Sequence, residues 1–206
     1  MKTFFFVLGV ASVLPCSATA QEKATLIIDV IGGPVSPHNP SVTVKIFASF
    51  PSQYWAFGST FYDLASTDPS GEFSGVTKPT ASGVGLPPGS CSEPWFPGTP
   101  DGNGGLTELF AFQFNAVGCL ARTTNPIQIW EATWSTQTFT NRTVVISTVN
   151  VLSFIVYTDG NQSLPNAVLT PNLFVPGEAT IQVVPAPGMT VAFGVVFATR
   201  RRRRAI

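Results

Sequence analysis

The segment Ser41-Val42-Thr43-Val44-Lys45-Ile46-Phe47-Ala48-Ser49-Phe50 decides the fold, because apolar and polar side chains alternate along it. Side chains two positions apart point to the same face of a β-strand. This period therefore predicts a strand with one buried and one exposed face. The side chains predicted to be buried are Val42, Val44, Ile46, Ala48 and Phe50.

Further strand-like segments lie on both sides of this stretch, and helical periodicity is almost absent. They are residues 25–31, 54–64, 106–114, 127–134, 142–148, 151–158, 168–174 and 179–184. We expect 54–64 to pair with 41–50 across Pro51-Ser52, and Asp159-Gly160-Asn161 to form a hairpin turn. The pattern predicts an all-β fold, an antiparallel β-sandwich of jelly-roll or immunoglobulin-like type, with a closed barrel as second choice.

Residues 69–105 differ from the rest of the chain, because they hold nine glycines and seven prolines. Both residue types interrupt regular structure. We expect long loops here, with one short strand at 71–76. Loops of this length inside a domain are uncommon and often functional.

Length and charge indicate how many domains the chain can form and which partners it does not suit. The 206 residues suffice for about one domain. The formal net charge is zero, but Lys2 and the five arginines at 200–204 make up six of the 11 basic residues. The body between them keeps five basic residues against all 11 acidic ones. Because nucleic-acid binding depends on a basic face, nucleic acid is not an expected partner.

The N-terminus is typical of a secretory signal peptide. Lys2 precedes an apolar segment at 4–14, Pro15 ends it, and Ala18-Thr19-Ala20 provides the small residues that signal peptidase requires. We predict a signal peptide over residues 1–20, cleaved between Ala20 and Gln21. The apolar segment is too short to span a bilayer comfortably.

The C-terminus has a three-part organisation over residues 184–206. The motif Val184-Pro185-Ala186-Pro187-Gly188 precedes an apolar segment at 189–199 and the basic run Arg200, Arg201, Arg202, Arg203 and Arg204. The arginines would hold the terminus on the cytoplasmic side, as in a stop-transfer signal. As a helix, residues 188–199 would be about 18 Å long, against a hydrocarbon core of about 30 Å. This short segment suits transient insertion better than permanent anchoring; an amphipathic surface helix with a basic tail is the alternative.

Motif, apolar segment and arginine cluster together resemble the PEP-CTERM sorting signal of Gram-negative bacteria, in the variant common in planctomycete-type bacteria. Ala186 stands where the family motif has Glu. The body is similar to such surface proteins at 42–63, 125–127, 130–134 and 177–181. The resemblance implies processing by an exosortase, a membrane cysteine protease, and delivery of the mature protein to the cell surface or extracellular matrix.

Two cysteines, Cys91 and Cys119, remain after removal of the signal peptide. An even pair in an exported protein indicates a disulfide, with two free thiols as the alternative. The bond would close a loop of about 29 residues, which the chain-entropy model associates with roughly 3 to 4 kcal/mol.

Catalytic and metal-binding patterns are weak. His38 is the only histidine, and it lies in the predicted loop Pro37-His38-Asn39-Pro40. No nucleophile-elbow, zinc-protease or phosphate-loop motif occurs. The acidic turn at 101–105 resembles a calcium loop, but Gly105 occupies a position that needs an oxygen ligand. We therefore predict no catalytic residues, no metal and no cofactor.

The four tryptophans leave a binding function open. Trp130 and Trp134 share one face of a predicted strand, and core packing is favoured for both. Trp95, in a Pro-rich loop, is the candidate for an exposed glycan contact.

The predicted organisation is a signal peptide at 1–20, a β-sandwich domain at 21–183 and a sorting signal at 184–206. The predicted function is that of an exported, non-enzymatic surface or matrix protein with a structural or adhesive role. A carbohydrate-binding module with an aromatic platform is the alternative, in which envelope or matrix polysaccharide would be the partner. A carboxylate-based glycan hydrolase is the third function considered.

Overall fold

A computed structural model describes residues 22–79, 95–113, 121, 123–159, 166–169 and 173–186. These residues form eleven β-strands and no α-helix. The strands are β1 (Ala24–Ile31), β2 (Ser41–Ser49), β3 (Ala56–Ser66), β4 (Gly71–Thr77), β5 (Trp95–Pro100), β6 (Leu106–Phe112), β7 (Ile127–Thr136), β8 (Arg142–Tyr157), β9 (Asn166–Leu169), β10 (Phe174–Val175) and β11 (Glu178–Val183). Within the described ranges, no helix is long and apolar enough to cross a membrane.

Two sheets form the sandwich. The first has the strand order β10-β1-β2-β7-β4, and the second has the order β11-β8-β3-β6-β5, with β9 paired to β8. The short pair β1–β10 is parallel, and the other ladders are antiparallel. The predicted all-β sandwich is therefore confirmed.

The core lies between the inner faces of the two sheets. Along β2, burial alternates at every residue, and Val44, Ile46 and Ala48 are fully buried, as the sequence period predicts. Large side chains from both sheets meet there. The largest of them are Trp130, Trp134, Tyr62, Phe57 and Phe154. Phe57 and Phe154 pack edge to face, with ring centroids 5.6 Å apart.

The predicted pairing of 54–64 with 41–50 is wrong. β2 pairs with β1 and β7, whereas β3 belongs to the other sheet and pairs with β6 and β8. A turn closed by the Tyr54 N–H donating to the Pro51 carbonyl separates the two strands. After it, the Trp55 N–H donates to the Tyr157 carbonyl on β8, so the chain has already changed sheets.

Two other strand predictions need correction. The segments 142–148 and 151–158 form one strand, β8, which continues through an irregularity where Asn150 has φ 50°. The segment 168–174 is divided between β9 and β10, which lie in different sheets.

The described part of the Gly/Pro-rich region, residues 69–79 and 95–105, contains one strand that was predicted and one that was not. β4 confirms the short strand expected at 71–76. β5 was not predicted, because Pro97 and Pro100 interrupt its sequence. β5 lies at the edge of its sheet, and an edge strand tolerates proline because one row of its N–H groups has no ladder partner.

An ion pair links the two sheets at one end of the sandwich. Asp68, buried in the β3–β4 connection, accepts a hydrogen bond from Arg142 at the start of β8. Arg142 also donates to Thr136, the last residue of β7, and Ser70 donates to Asp68. Burial alone would raise the pKa of Asp68, but the hydrogen bonds from Ser70 and Arg142 and the Arg142 charge hold that pKa below its usual value.

Candidate binding surface

The outer faces of the two sheets differ in chemistry. On the first sheet, Lys45 of β2 forms an ion pair with Glu131 of β7, with 3.3 Å between Nζ and Oε2. Gln128 donates to the same carboxylate at 2.8 Å. The middle of this face therefore carries a charged pair, and exposed apolar side chains of β1, Ile27 and Ile31, lie beside it.

The outer face of the second sheet carries a cluster of phenylalanines instead. Phe61 of β3, Phe96 of β5, and Phe110 and Phe112 of β6 form what we call the aromatic face. The ring centroid of Phe110 lies 6.2 Å from Phe61, 6.0 Å from Phe96 and 6.2 Å from Phe112. Phe96 is 58% exposed, and the other three are half-buried. Large apolar side chains grouped on a surface mark an interaction site.

Strand register explains why these rings meet. Phe61 lies opposite Phe110, and Phe110 lies opposite Phe96, so three neighbouring strands place a phenylalanine in one row. Phe112 follows Phe110 at the two-residue period that keeps a side chain on the same face. Val168 of β9, 64% exposed, lies opposite Ile155 of β8 and adds further apolar surface to this sheet.

Two tryptophans fix the position of β5, the strand that carries Phe96. The Trp95 indole N–H of β5 donates to the Ile129 carbonyl of β7, and the Trp130 indole N–H of β7 donates to the Pro97 carbonyl of β5, each at 3.1 Å. Because β5 and β7 belong to different sheets, these reciprocal hydrogen bonds cross the sandwich.

Trp95 does not have the exposure that the sequence suggested. Its side chain is half-buried and packs against the core, because β5 is a strand and its register places Trp95 opposite Ala111, whose side chain is buried. The outward position belongs to the next residue, Phe96. Core packing of Trp130 and Trp134 is confirmed, with exposures of 1% and 0%.

A groove opens at one edge of the aromatic face. It has a volume of about 300 Å³ and is lined by Phe61, Phe96, Pro97, Gly98, Thr99 and Glu108. Gly98 and Glu108 lie between the strand pairs Pro97–Leu109 and Thr99–Thr107. Both have left-handed backbone, with φ 91° for Gly98 and φ 62° for Glu108. A Cβ on Gly98 would come within 2.9 Å of the Leu109 side chain, so this position requires glycine.

Asp63, on the central strand β3, holds the strands on both sides of it. Its Oδ1 accepts the Glu108 N–H of β6, and its Oδ2 accepts the Asn150 amide of β8, each at 2.8 Å. Glu108 and Asn150 are the two non-glycine residues with positive φ among the described residues. One carboxylate therefore stabilises two irregularities, and its oxygens are engaged in structure.

Part of the predicted sorting signal lies within the description. The Val184 N–H donates to the Val35 carbonyl at 2.8 Å, directly after β11, and Pro185 and Ala186 are exposed. The remaining predicted site residues lie outside the described residues. They are Ala20, Gln21, Cys91, Cys119, Pro187, Gly188, Arg200, Arg201, Arg202, Arg203 and Arg204. The apolar segment at 189–199 also lies outside them.

The described residues contain no group of three or more His, Cys, Asp or Glu side chains that could hold a metal ion. His38 lies in a turn closed by hydrogen bonds between Ser36 and Asn39. In the acidic turn, Asp101 Oδ1 accepts the N–H groups of Asn103 and Gly105. Its carboxylate thus stabilises the turn itself.

Fold and surface together define a two-sheet β-sandwich domain that displays an aromatic face on one sheet. No family model and no curated protein matches the chain. Among solved structures, the chain is similar to the Coh-OlpC module of a type I cohesin–dockerin complex from Clostridium thermocellum, with 13% identity and a TM-score of 0.50 over 82% of this chain and 97% of that one. A cohesin module from a family 33 glycoside hydrolase of Clostridium perfringens shares 9% identity over 78% of this chain and 98% of that one, with a TM-score of 0.48. The likeness at TM-score 0.50 supports the same sandwich fold.

Sequence reasoning missed the aromatic face because it searched for tryptophan. The alternation Phe110-Ala111-Phe112 indicates a strand but not which face is buried. Only the pairing of β6 with β3 and β5 shows that these rings point outward together.

Proposed function

We propose that this protein is an exported, non-enzymatic module of the cell surface or extracellular matrix, and that it binds another protein through the aromatic face. The observation that carries the proposal is the cluster of Phe61, Phe96, Phe110 and Phe112 on the outer side of one sheet. Burial of such a cluster in an interface is favourable, because it removes apolar surface from water.

Ring geometry favours a protein over a polysaccharide as the partner. Phe61 and Phe96 are tilted by 46° and 43° to Phe110, so the three rings do not form one flat platform. A cluster of tilted rings suits an irregular apolar protein surface, where aromatic pairs pack at such angles. Trp95, the sequence-based glycan contact, already uses its indole N–H inside the sandwich.

The solved structure of similar fold contains a protein partner. The Coh-OlpC module was crystallised in a complex with a dockerin, so at least one sandwich of this kind binds a protein. At 13% identity this likeness does not carry the partner over to the present chain. The proposal therefore rests on the aromatic face.

Co-sedimentation with envelope fractions of the native host tests the proposal. Phe96→Ser removes the most exposed ring of the face, and we expect it to weaken binding by about ten-fold, as for the loss of one central interface residue. Ile31→Ser is the matched control, because Ile31 is 48% exposed on the outer face of the other sheet. The control should bind like the unchanged protein.

Pretreatment of the envelope identifies the class of partner. A protein partner predicts that protease treatment abolishes binding and that periodate oxidation of glycans leaves it intact. The reverse pattern would contradict the proposal and restore the carbohydrate-binding alternative. Equal binding by Phe96→Ser and Ile31→Ser would reject the aromatic face as the contact surface.

The route to the surface is the second part of the proposal. Signal peptidase would cut after Ala20, and an exosortase-like enzyme would cut within the motif that starts at Val184. The described strands end at Val183, and the Val184 N–H donates a hydrogen bond to the Val35 carbonyl, so a cut from Pro185 onward would leave β11 whole.

The intact mass of the protein recovered from native envelope tests this processing. We expect a species from Gln21 to near Pro185 that gains the mass of two hydrogen atoms on reduction, as the predicted Cys91–Cys119 disulfide requires. A species that keeps the five arginines would contradict sorting.

A further inference from the structure

The groove beside the aromatic face combines apolar walls with one carboxylate. Phe61, Phe96 and Pro97 provide apolar surface, and Glu108 is the acidic residue of the lining. Glu108 is exposed. A ligand that fits this groove needs an apolar stem and a positive end.

The backbone at Glu108 strengthens this reading. A non-glycine residue at φ 62° is strained, and glycine, as at Gly98 opposite, would adopt this conformation without strain. Asp63 holds the strained backbone in place by accepting the Glu108 N–H. Strain retained at one surface position points to a use for the side chain displayed there.

Charge complementarity points to the same ligand. The body of the chain keeps five basic residues against 11 acidic ones, so its surface attracts cations. Aromatic faces also attract cations, and they hold an ammonium or guanidinium group within about 6 Å of the ring centre. Lysine and arginine side chains have the required apolar stem and charged end.

We propose that this groove binds a lysine or arginine side chain of the partner protein, with the stem along Phe61 and Phe96 and the cationic group at Glu108. This inference rests on the proposed function, because it names the chemistry that the partner presents to the aromatic face. The apolar rings supply contact area, and the groove selects which partner surface fits.

Titration of the full chain with N-acetyl-arginine methylamide tests the groove. The readout is the NMR shift of the Phe61 and Phe96 ring signals in phenylalanine-labelled protein. N-acetyl-citrulline methylamide, a neutral compound of nearly the same shape, is the matched probe. We expect the arginine compound to shift both rings at millimolar concentration and the citrulline compound to bind several-fold more weakly. Nα-acetyl-lysine methylamide, which keeps its charged ε-amino group, should behave like the arginine compound.

Glu108→Gln tests the carboxylate while keeping the size of the side chain. We expect arginine binding about two- to five-fold weaker, the range for an exposed charge pair. Glu178→Gln changes an exposed carboxylate at the start of β11 and should leave binding unchanged. Added salt should weaken arginine binding by the unchanged protein more than it weakens arginine binding by Glu108→Gln.

The outcomes separate this inference from the proposed function. Equal binding of the arginine and citrulline compounds, or equal binding by Glu108→Gln, would overturn the cation site. Envelope binding that still depends on Phe96 would leave the proposed function standing. Arginine binding that depends on Glu108, together with envelope binding that ignores Phe96, would support the groove and reject the proposed interface.

Discussion

At the residue scale, the two tryptophans of β7 differ in what their indole N–H groups do. Trp130 links the two sheets by a hydrogen bond, whereas Trp134 contributes only packing. Trp130 donates its indole N–H to the Pro97 carbonyl of β5. The indole N–H of Trp134 is buried and has no hydrogen-bond partner among the described residues. Its ring instead lies against Gly71, where a Cβ would come within 2.6 Å of Nε1. The two residues are equally buried, so their hydrogen bonds make the difference.

We predict that Trp130→Phe lowers the free energy of unfolding by about 1–2 kcal/mol more than Trp134→Phe. Both changes remove similar ring volume, but Trp130→Phe also removes a hydrogen bond, whereas Trp134→Phe removes a buried N–H that has no partner among the described residues. Urea denaturation of both variants at neutral pH measures the difference. Equal losses, or a larger loss for Trp134→Phe, would contradict the proposed cross-sheet hydrogen bond.

Glu108 gives a second prediction at this scale. Glu108→Gly should raise the free energy of unfolding by about 0.5–1 kcal/mol, because relief of left-handed strain exceeds the entropy lost by a more flexible unfolded chain. Thr107→Gly, on the same strand but without positive φ, should lower it by about 1 kcal/mol. Thermal or urea unfolding provides the comparison. A destabilised Glu108→Gly variant would mean that this residue is not strained.

At the element scale, the ion pair between Asp68 and Arg142 fixes the β3–β4 connection to the start of β8. Because the pKa of Asp68 is lowered in the folded protein, the folded state binds fewer protons there than the unfolded state. The stabilisation is therefore complete above the unfolded-state pKa of about 4 and is lost as the pH falls through the lower, folded-state pKa.

We predict that Asp68→Asn lowers the free energy of unfolding at pH 7 by about 1–3 kcal/mol, since it leaves Arg142 without its charged partner. The difference from the unchanged protein should shrink as the pH is lowered below about 4. Asp29→Asn, at an exposed carboxylate of β1, should stay within about 0.5 kcal/mol. Denaturant curves at several pH values test this. A pH-independent difference would contradict the role of the Asp68 charge.

The same scale shows what the sequence could predict. The alternation in β2 gave its buried face, because a half-buried strand has a clear two-residue period. The partner of β3 could not be found in this way, since pairing depends on a turn at Pro51 that carries the chain into the other sheet. β5 could not be predicted from the sequence because of its prolines. The aromatic face depends on the pairing of β5 with β6, so it could not be predicted either. The site was missed because it depends on register between three strands.

At the scale of the whole molecule, one outer face of the sandwich has a charged pair at its middle and the other has a row of aromatic rings. The ion pair of Lys45 and Glu131 belongs to the first, and the ring row from Phe61 to Phe96 belongs to the second. A protein that only filled a matrix by non-specific packing would not need this asymmetry. The asymmetry instead predicts that the molecule has one orientation against its partner.

Hydroxyl-radical footprinting of the protein, free and bound to native envelope, tests this orientation most directly. Phenylalanine and isoleucine side chains both react, so Phe96 reports on the aromatic face and Ile31 on the opposite sheet. We predict that binding lowers the labelling of Phe96 several-fold and leaves Ile31 unchanged. Protection of Ile31 with Phe96 still reactive would show that the aromatic face is not the binding surface.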